Sequence, residues 1–166
     1  MTKTKELRFR FFIIFSLLML TSLPACWFGT KKDDSPEKNS GLVLISVLNK
    51  KHHDDAHIKG SIWVPIDNVE QYAQENLSPD AEVIFYCNNY MCSSSGFARK
   101  RLIDLGFKNV FVYEGGVAQW LQKGYPTVGP AQSGYLKRVM EEPEELESFV
   151  LTAEQLKEKL EDHKKI

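Results

Sequence analysis

The stretch Val83-Ile84-Phe85-Tyr86-Cys87-Asn88-Asn89-Tyr90-Met91-Cys92-Ser93-Ser94-Ser95-Gly96-Phe97-Ala98-Arg99-Lys100-Arg101-Leu102 decides the fold. Its first four residues are apolar and predict a fully buried strand. A cysteine and a short polar loop follow, and then a segment in which Phe97, Ala98 and Leu102 have the spacing of one helical face. The stretch is therefore predicted to form a strand, a loop and a helix.

Cys87 stands at the end of the predicted strand. In open α/β folds the carboxyl ends of parallel strands form the edge where ligands bind. The amino end of the next helix favours an anion there, through its dipole and its free backbone N–H groups. We therefore expect the Cys87 thiol to ionise more readily than an isolated thiol, which makes it the candidate nucleophile.

Length, composition and charge restrict the class of protein. The chain has 166 residues, of which 43% are hydrophobic and 26% are charged, as expected for one globular domain with additional segments. Residues 1–25 carry a net charge of +3, so the remainder carries −4. This balance argues against nucleic acid as the main partner.

The amino-terminal segment predicts export from the cytoplasm. After a basic start, Phe11 to Leu23 is mostly apolar but shorter than the roughly 20 residues that a membrane span needs. The run ends in Leu23-Pro24-Ala25-Cys26, which resembles a bacterial lipoprotein signal. We therefore predict a signal peptide over 1–25 and a lipidated Cys26 followed by a flexible tether over 26–40, the alternative being an uncleaved signal anchor. Either predicts a protein of the cell envelope, held at a membrane and facing the periplasm or the cell exterior.

Further strands and helices alternate along residues 41–128. Buried strands are predicted at Leu42 to Val47 and Val110 to Tyr113 and a short strand at Ile62 to Val64, with short helices between the strands. Strands that alternate with helices indicate an α/β fold, with a parallel sheet covered on both faces.

Several linked motifs in this region resemble those of the rhodanese-like domain family. They are Leu44-Ile45-Ser46-Val47, His57-Ile58-Lys59-Gly60-Ser61-Ile62, Cys87 after its strand, Leu105-Gly106-Phe107-Lys108-Asn109-Val110, Glu114-Gly115-Gly116, Trp120 and Gly124-Tyr125-Pro126. The resemblance implies a parallel five-stranded sheet flanked by helices. It also implies a sulfurtransferase that carries sulfane sulfur as a persulfide on Cys87, taken from a small sulfur donor and passed to a thiol acceptor, with no cofactor.

The resemblance assigns the loop after Cys87 as an anion cradle built from backbone N–H groups. The residues concerned are Asn88, Asn89, Tyr90, Met91, Cys92, Ser93 and Ser94. Three features depart from the family pattern: the loop is about two residues longer than usual, it lacks the usual arginine, and Ser46 and Leu48 replace an aspartate and an arginine. Thiosulfate would lose its charged partner in such a loop. The serine run from Ser93 is expected to cap the following helix.

Cys92 leaves several functions open. It is a candidate resolving thiol that forms a disulfide with Cys87, a second sulfur acceptor, or a bystander at the start of the helix. The first alternative makes the domain a thiol-disulfide module with a redox protein as its partner. The missing arginine also allows a catalytically inactive binding domain.

The histidines at His52, His53 and His57 raise the question of a metal site. His53 and His57 share a face if the segment is helical, but a clear fourth ligand is lacking. We therefore predict no metal site, and the resemblance implies a structural role for His57.

The carboxyl-terminal segment provides what the start of the domain lacks. Family domains open with a strand and a helix before the Leu44-type strand, and residues 29–42 cannot supply them. Residues 149–166 have that pattern, with a capping box at Thr152 and Gln155 and an apolar face at Leu156 and Leu160. We predict a circular permutation in which 149–166 supplies the edge strand and its helix and 129–148 is a connector. The alternative is a loose charged helix or the remnant of a second domain.

Overall fold

Four parallel strands form the main sheet of the computed structural model, which describes residues 37–164. The predicted signal peptide, Cys26 and most of the predicted tether therefore lie outside the described residues. The elements run β1 (Leu42–Ser46), α1 (Lys50–Asp55), β2 (His57–Ile58), β3 (Ile62–Trp63), a 3-10 turn (Ile66–Asn68), α2 (Val69–Asn76), β4 (Glu82–Tyr86), α3 (Ser94–Asp104), β5 (Asn109–Tyr113), α4 (Gly116–Gln122), β6 (Thr127–Val128), a second 3-10 turn (Gly134–Lys137) and α5 (Ala153–His163).

The predicted central strand occupies the middle of the sheet, whose order is β3-β1-β4-β5. Four successive residues of β4, Val83 to Tyr86, are each 0% exposed, so both faces of this strand are covered. This explains the continuous apolar run, since strands buried on both faces do not alternate with polar residues. The separate pair of β2 and β6 is antiparallel. The α/β class and the parallel sheet are confirmed.

Residues 149–151, which follow the connector, lie at the free edge of β5. The N–H of Val112 donates to the carbonyl of Phe149 (3.0 Å), and the N–H of Leu151 donates to the carbonyl of Val112 (2.8 Å). These bonds make a parallel bridge between Val112 and Val150. The edge position is the predicted one, but the predicted five-stranded sheet consists of four strands and this single bridge. That the order arose by permutation stays a prediction.

Helix α5 packs against the domain and is not loosely attached. Thr152 and Gln155 form the predicted capping box, and Leu156 is 0% exposed in the core. Lys159 Nζ lies 2.6 Å from Glu82 Oε1 at the start of β4. The Arg99 guanidinium lies over the Phe149 ring, 3.6 Å from its centre. The alternative of a loose helix is therefore wrong.

Helix α3 buries Ala98 and Leu102 of the predicted apolar face but leaves Phe97 exposed. Ser95, Ala98 and Leu102 are each at most 1% exposed, whereas Phe97 is 61% exposed. The buried residues follow the spacing of three and four that defines a helical face, and Phe97 falls outside it. The predicted cap is also wrong, because Ser93 stands at the N-cap without a side-chain hydrogen bond. Gly106, with a φ of 89°, directly follows the C-cap residue Leu105.

The connector crosses the surface in extended and 3-10 conformation. Gly134–Lys137 of the connector forms the second 3-10 turn, in which Leu136 is 1% exposed. The Asp55 carboxylate accepts hydrogen bonds from the N–H groups of Gln132 (2.8 Å) and Ser133 (2.9 Å). Bonding to Ser133 holds the pKa of Asp55 below its usual range. Within residues 37–164, none of the helices combines the length and apolar character needed to cross a membrane.

Candidate active site

A disulfide joins Cys87 to Cys92, the two cysteines that the sequence placed in the loop between β4 and α3. Their Cα atoms are 6.1 Å apart. Cys87 follows the last residue of β4 and is 4% exposed, while Cys92 is only partly buried. A disulfide between Cys87 and Cys92 is what the resolving-thiol alternative requires. A bystander cysteine is not expected to form this bond.

The first turn of α4 holds the start of the loop. The N–H of Val117 donates to the carbonyl of Cys87 (3.1 Å), and the N–H of Ala118 donates to the carbonyl of Asn88 (3.0 Å). Gly116 has a φ of 62°, and a Cβ at this position would lie 2.5 Å from the Cys87 carbonyl oxygen. Glycine is therefore required here by both conformation and space. The Gly115-Gly116 motif thus positions the backbone that carries the candidate nucleophile.

Asn89 turns the loop back toward Cys87. Its side-chain oxygen accepts a hydrogen bond from the N–H of Met91 (3.1 Å), and its carbonyl accepts one from the N–H of Cys92 (2.9 Å). Two N–H groups of the predicted anion cradle are therefore engaged within the loop. The remaining predicted residues continue the same segment: the Ser93 carbonyl accepts from the N–H of Phe97 (3.1 Å), and Ser94 begins α3.

Asn88 carries an unusual polar atom. Its side-chain oxygen is buried, and among the residues that the structure describes it has no hydrogen-bond partner. An unsatisfied buried acceptor destabilises a fold by about 1–3 kcal/mol, and such atoms call for an explanation such as a functional role.

The tip of the loop is tied to α4 and to the connector. Tyr90 and Tyr113 both donate from their hydroxyl groups to Gln119 Oε1, at 3.2 Å and 2.9 Å. The Gln119 amide nitrogen then donates to Glu142 Oε2 at 3.2 Å. Burial and the Glu142 carboxylate raise the pKa of Tyr90 to about 12, and burial raises that of Tyr113 as well. Both hydroxyl groups are therefore protonated donors at neutral pH.

The charge around the loop is unusual for a site that receives an anion. Residues 87–94 include no lysine or arginine. The hydrogen bonds that start at Tyr90 lead through Gln119 to the Glu142 carboxylate. The negative charge of this carboxylate repels an anion. A crevice of about 10 Å³ between Tyr90, Gln119, Arg138 and Met140 has room for about one water molecule. With the disulfide formed, this crevice is too small for a sulfur donor.

The histidines lie beside the sheet and not in the loop. His53 and His57 stack with their ring centres 4.0 Å apart, and His53 Nδ1 lies 3.0 Å from Ser46 Oγ. Burial, with a smaller contribution from His57, lowers the pKa of His53 to about 4. Over residues 37–164 there is no group of three or more His, Cys, Asp or Glu side chains arranged to hold a metal. The two rings are packed against each other, as structural histidines are, and the lowered pKa keeps His53 neutral at pH 7.

Two residues near the loop escaped sequence reasoning, namely Gln119 and Glu142. Gln119 lies on the short helix α4, between motif residues of the family, and is not itself part of a motif. Glu142 lies in a connector without periodicity, so no sequence signal indicates which of its several carboxylates reaches the loop. Only the path of the connector across α4 brings Glu142 to Gln119.

Comparison with known proteins agrees with the fold. The family model for the rhodanese-like domain matches residues 31–123, which is more than half of the chain. The adenylyltransferase and sulfurtransferase UBA4 of Meyerozyma guilliermondii is 28% identical over 95 residues, which are 53% of this chain and 22% of that protein. The thiosulfate sulfurtransferase GlpE of Coxiella burnetii is 24% identical over 83 residues, or 50% of this chain and 75% of that protein.

Among solved structures, the BH2092 protein from Bacillus halodurans superposes with a TM-score of 0.50 at 23% identity, covering 55% of this chain and 66% of that one. This likeness supports the fold alone. The chain spans about a fifth of the length of the first of these relatives, and both sequence relatives are named as sulfurtransferases. From its motifs, its sheet and the match of the family model, this chain belongs to the rhodanese-like domain family.

Proposed function

We propose that this protein is a sulfurtransferase that carries sulfane sulfur as a persulfide on Cys87. The observation that carries the proposal is the position of Cys87, at the carboxyl end of the central strand and at the head of a loop held by α4. Parallel-sheet proteins bind ligands at this edge. The sulfurtransferase names of two relatives support the same chemistry.

The reaction requires the reduced protein. Once the bond to Cys92 is opened, the Cys87 thiolate attacks the sulfane sulfur of a donor. The bond between that sulfur and the remainder of the donor breaks, and its electron pair leaves with the remainder. A thiol acceptor then attacks the outer sulfur of the persulfide and regenerates Cys87.

The charge of the site favours some donors over others. Thiosulfate is a dianion, and residues 87–94 contain no cation to hold it. Glu142 repels it, and Arg138, which lines the crevice beside Tyr90 but lies outside the loop, offsets part of that repulsion. When the persulfide of a small thiol gives up its outer sulfur, the group that leaves is that thiol and not the sulfite that thiosulfate releases, so the transfer needs no such cation. We therefore propose a low-molecular-weight persulfide as the donor in preference to thiosulfate.

Intact mass spectrometry tests this function. The full chain with Cys26→Ser, so that only Cys87 and Cys92 remain as cysteines, is reduced, freed of reductant and treated with glutathione persulfide. With Cys92→Ser added, the protein should gain one sulfur atom. The same chain with Cys87→Ser in place of Cys92→Ser should gain none at the loop. Absence of an adduct on the Cys92→Ser protein would refute the proposal.

A second function, thiol-disulfide exchange, is favoured by the bond between Cys87 and Cys92. In that case the disulfide itself is the reactive group, and a redox protein is the partner. The disulfide would exchange with dithiol proteins, and sulfur donors would leave the reduced protein unchanged. The experiment above therefore distinguishes the two functions.

We also propose that the domain is held at a membrane of the bacterial cell envelope by lipid on Cys26, facing the periplasm or the exterior. The basic start, the short apolar run and the cysteine after Ala25 support this location. Metabolic labelling with a fatty acid should label the wild-type protein but not Cys26→Ser. Equal labelling of both proteins would exclude this site of lipidation.

A further inference from the structure

We infer that the Cys92 thiol attacks the Cys87 persulfide and releases hydrosulfide. The domain thereby reduces sulfane sulfur to sulfide, with electrons that a dithiol supplies. This inference rests on the proposed function and gives it a product. The structure holds the state in which such a cycle ends, with Cys87 and Cys92 joined.

The step balances within the loop. The Cys92 thiolate attacks Cys87 Sγ, the inner sulfur of the persulfide. The bond between Sγ and the outer sulfur breaks, and its electron pair leaves with the outer sulfur as hydrosulfide, which keeps the persulfide proton. The sulfane sulfur gains two electrons, and the two cysteine sulfurs lose two as their disulfide forms. A dithiol then reduces this disulfide and becomes a disulfide itself.

The loop geometry brings Cys92 to Cys87 without relying on their bond. The turn that returns the chain is made by the Asn89 side chain and carbonyl with the N–H groups of Met91 and Cys92. The two ends of the loop are held by α4 and by the start of α3. None of these hydrogen bonds uses a cysteine sulfur. The reduced loop therefore keeps Cys92 within reach of an adduct on Cys87.

Burial favours the internal thiol over an external one. Cys87 is 4% exposed, so an external thiol must enter the loop to reach its persulfide. Cys92 is attached a few residues away, and a group on such a short linker acts at an effective concentration on the order of millimolar. An external thiol at about 10 µM would then react roughly 100-fold more slowly.

Exposure also gives the reductive step a direction. Cys92 is the more exposed residue of the disulfide, so we expect an external dithiol to attack its sulfur first. That attack frees Cys87 as the thiolate, which is the sulfur that must accept the next sulfane atom. Residues 87–94 contain no lysine or arginine that would retain hydrosulfide by an ion pair.

A single-turnover experiment tests the inference. The reduced full chain with Cys26→Ser, freed of reductant, is mixed with one equivalent of glutathione persulfide, and sulfide, free thiols and intact mass are measured. We expect one sulfide per chain, the loss of both thiols and no persistent adduct. Adding Cys92→Ser should leave a stable persulfide and lower sulfide release by about 100-fold. Phe97→Ser, which alters an exposed residue of α3, is the matched control and should behave as its parent.

Each outcome has one meaning. A persulfide that persists equally with and without Cys92 overturns the inference while the proposed function stands. Sulfur found on Cys92 without sulfide release also overturns it, since attack at the outer sulfur only moves the sulfane atom. Absence of any adduct on the Cys92→Ser protein overturns the proposed function and this inference together. Sulfide release with disulfide formation only in chains that contain both cysteines supports it.

Discussion

Leu156→Ala tests whether the carboxyl-terminal helix is part of the folded core. Leu156 is 0% exposed and belongs to the same hydrophobic cluster as the strands of the main sheet. Truncation of a fully buried leucine removes apolar contacts and leaves a cavity, which destabilises proteins by about 2.7–5 kcal/mol. Helix α5 retains its capping box and its ion pair to Glu82, so we expect a value near the low end, about 3 kcal/mol.

Urea unfolding followed by tryptophan fluorescence measures this loss. For a slope of about 2 kcal/mol per molar urea, 3 kcal/mol moves the midpoint down by about 1.5 M. Glu158→Ala, on the exposed face of the same helix, is the matched control and should change the free energy of unfolding by no more than about 0.5 kcal/mol. If Leu156→Ala unfolds at the same urea concentration as Glu158→Ala, the helix does not contribute to the core and the reasoning fails.

Two further predictions concern the buried histidine and the glycine beneath the loop. His53 has a pKa of about 4 when folded and 6.5 when unfolded, so the unfolded chain takes the proton first. The free energy of unfolding should therefore fall by about 2 kcal/mol as the pH drops from 6.5 to 4. His53→Gln should flatten this part of a plot of unfolding free energy against pH. If the slope of the plot is unchanged in His53→Gln, His53 is not a buried neutral imidazole. Gly116→Ala must displace the Cys87 and Asn88 backbone, whereas Gly124→Ala has open space and only a left-handed φ of 74°. We expect Gly124→Ala to destabilise the fold by about 1 kcal/mol and Gly116→Ala to destabilise it by more. Persulfide formation should be slower only in Gly116→Ala. If both variants change the rate of persulfide formation equally, α4 does not position the loop.

The sequence was sufficient for features that depend on local pattern. The apolar run before Cys87 predicted the central strand, because only a strand covered on both faces is apolar at every position. The pattern at Thr152 and Gln155 predicted a capped helix, because the capping box involves only neighbouring residues. The edge position of residues 149–152 followed from the family pattern and not from spacing alone.

Features that depend on contacts between distant segments were beyond the sequence. Phe97 and Ala98 are adjacent and both apolar, and only packing of α3 against the sheet decides which of them is buried. The low pKa of His53 depends on burial beside Ser46, which the polar character of its own segment does not indicate. Glu142 reaches Gln119 through the path of the connector. The edge segment makes one bridge and not a full strand because its bonds to β5 end where the helix cap at Thr152 begins.

The central claim is that sulfur is carried on Cys87, and peptide mapping of the adduct tests it most directly. The reduced full chain with Cys26→Ser and Cys92→Ser is treated with glutathione persulfide, alkylated, digested and sequenced by tandem mass spectrometry. The account predicts one additional sulfur on Cys87, in a protein whose urea midpoint equals that of its parent under reducing conditions. A folded protein in which Cys87 is alkylated directly, with no additional sulfur, would contradict it.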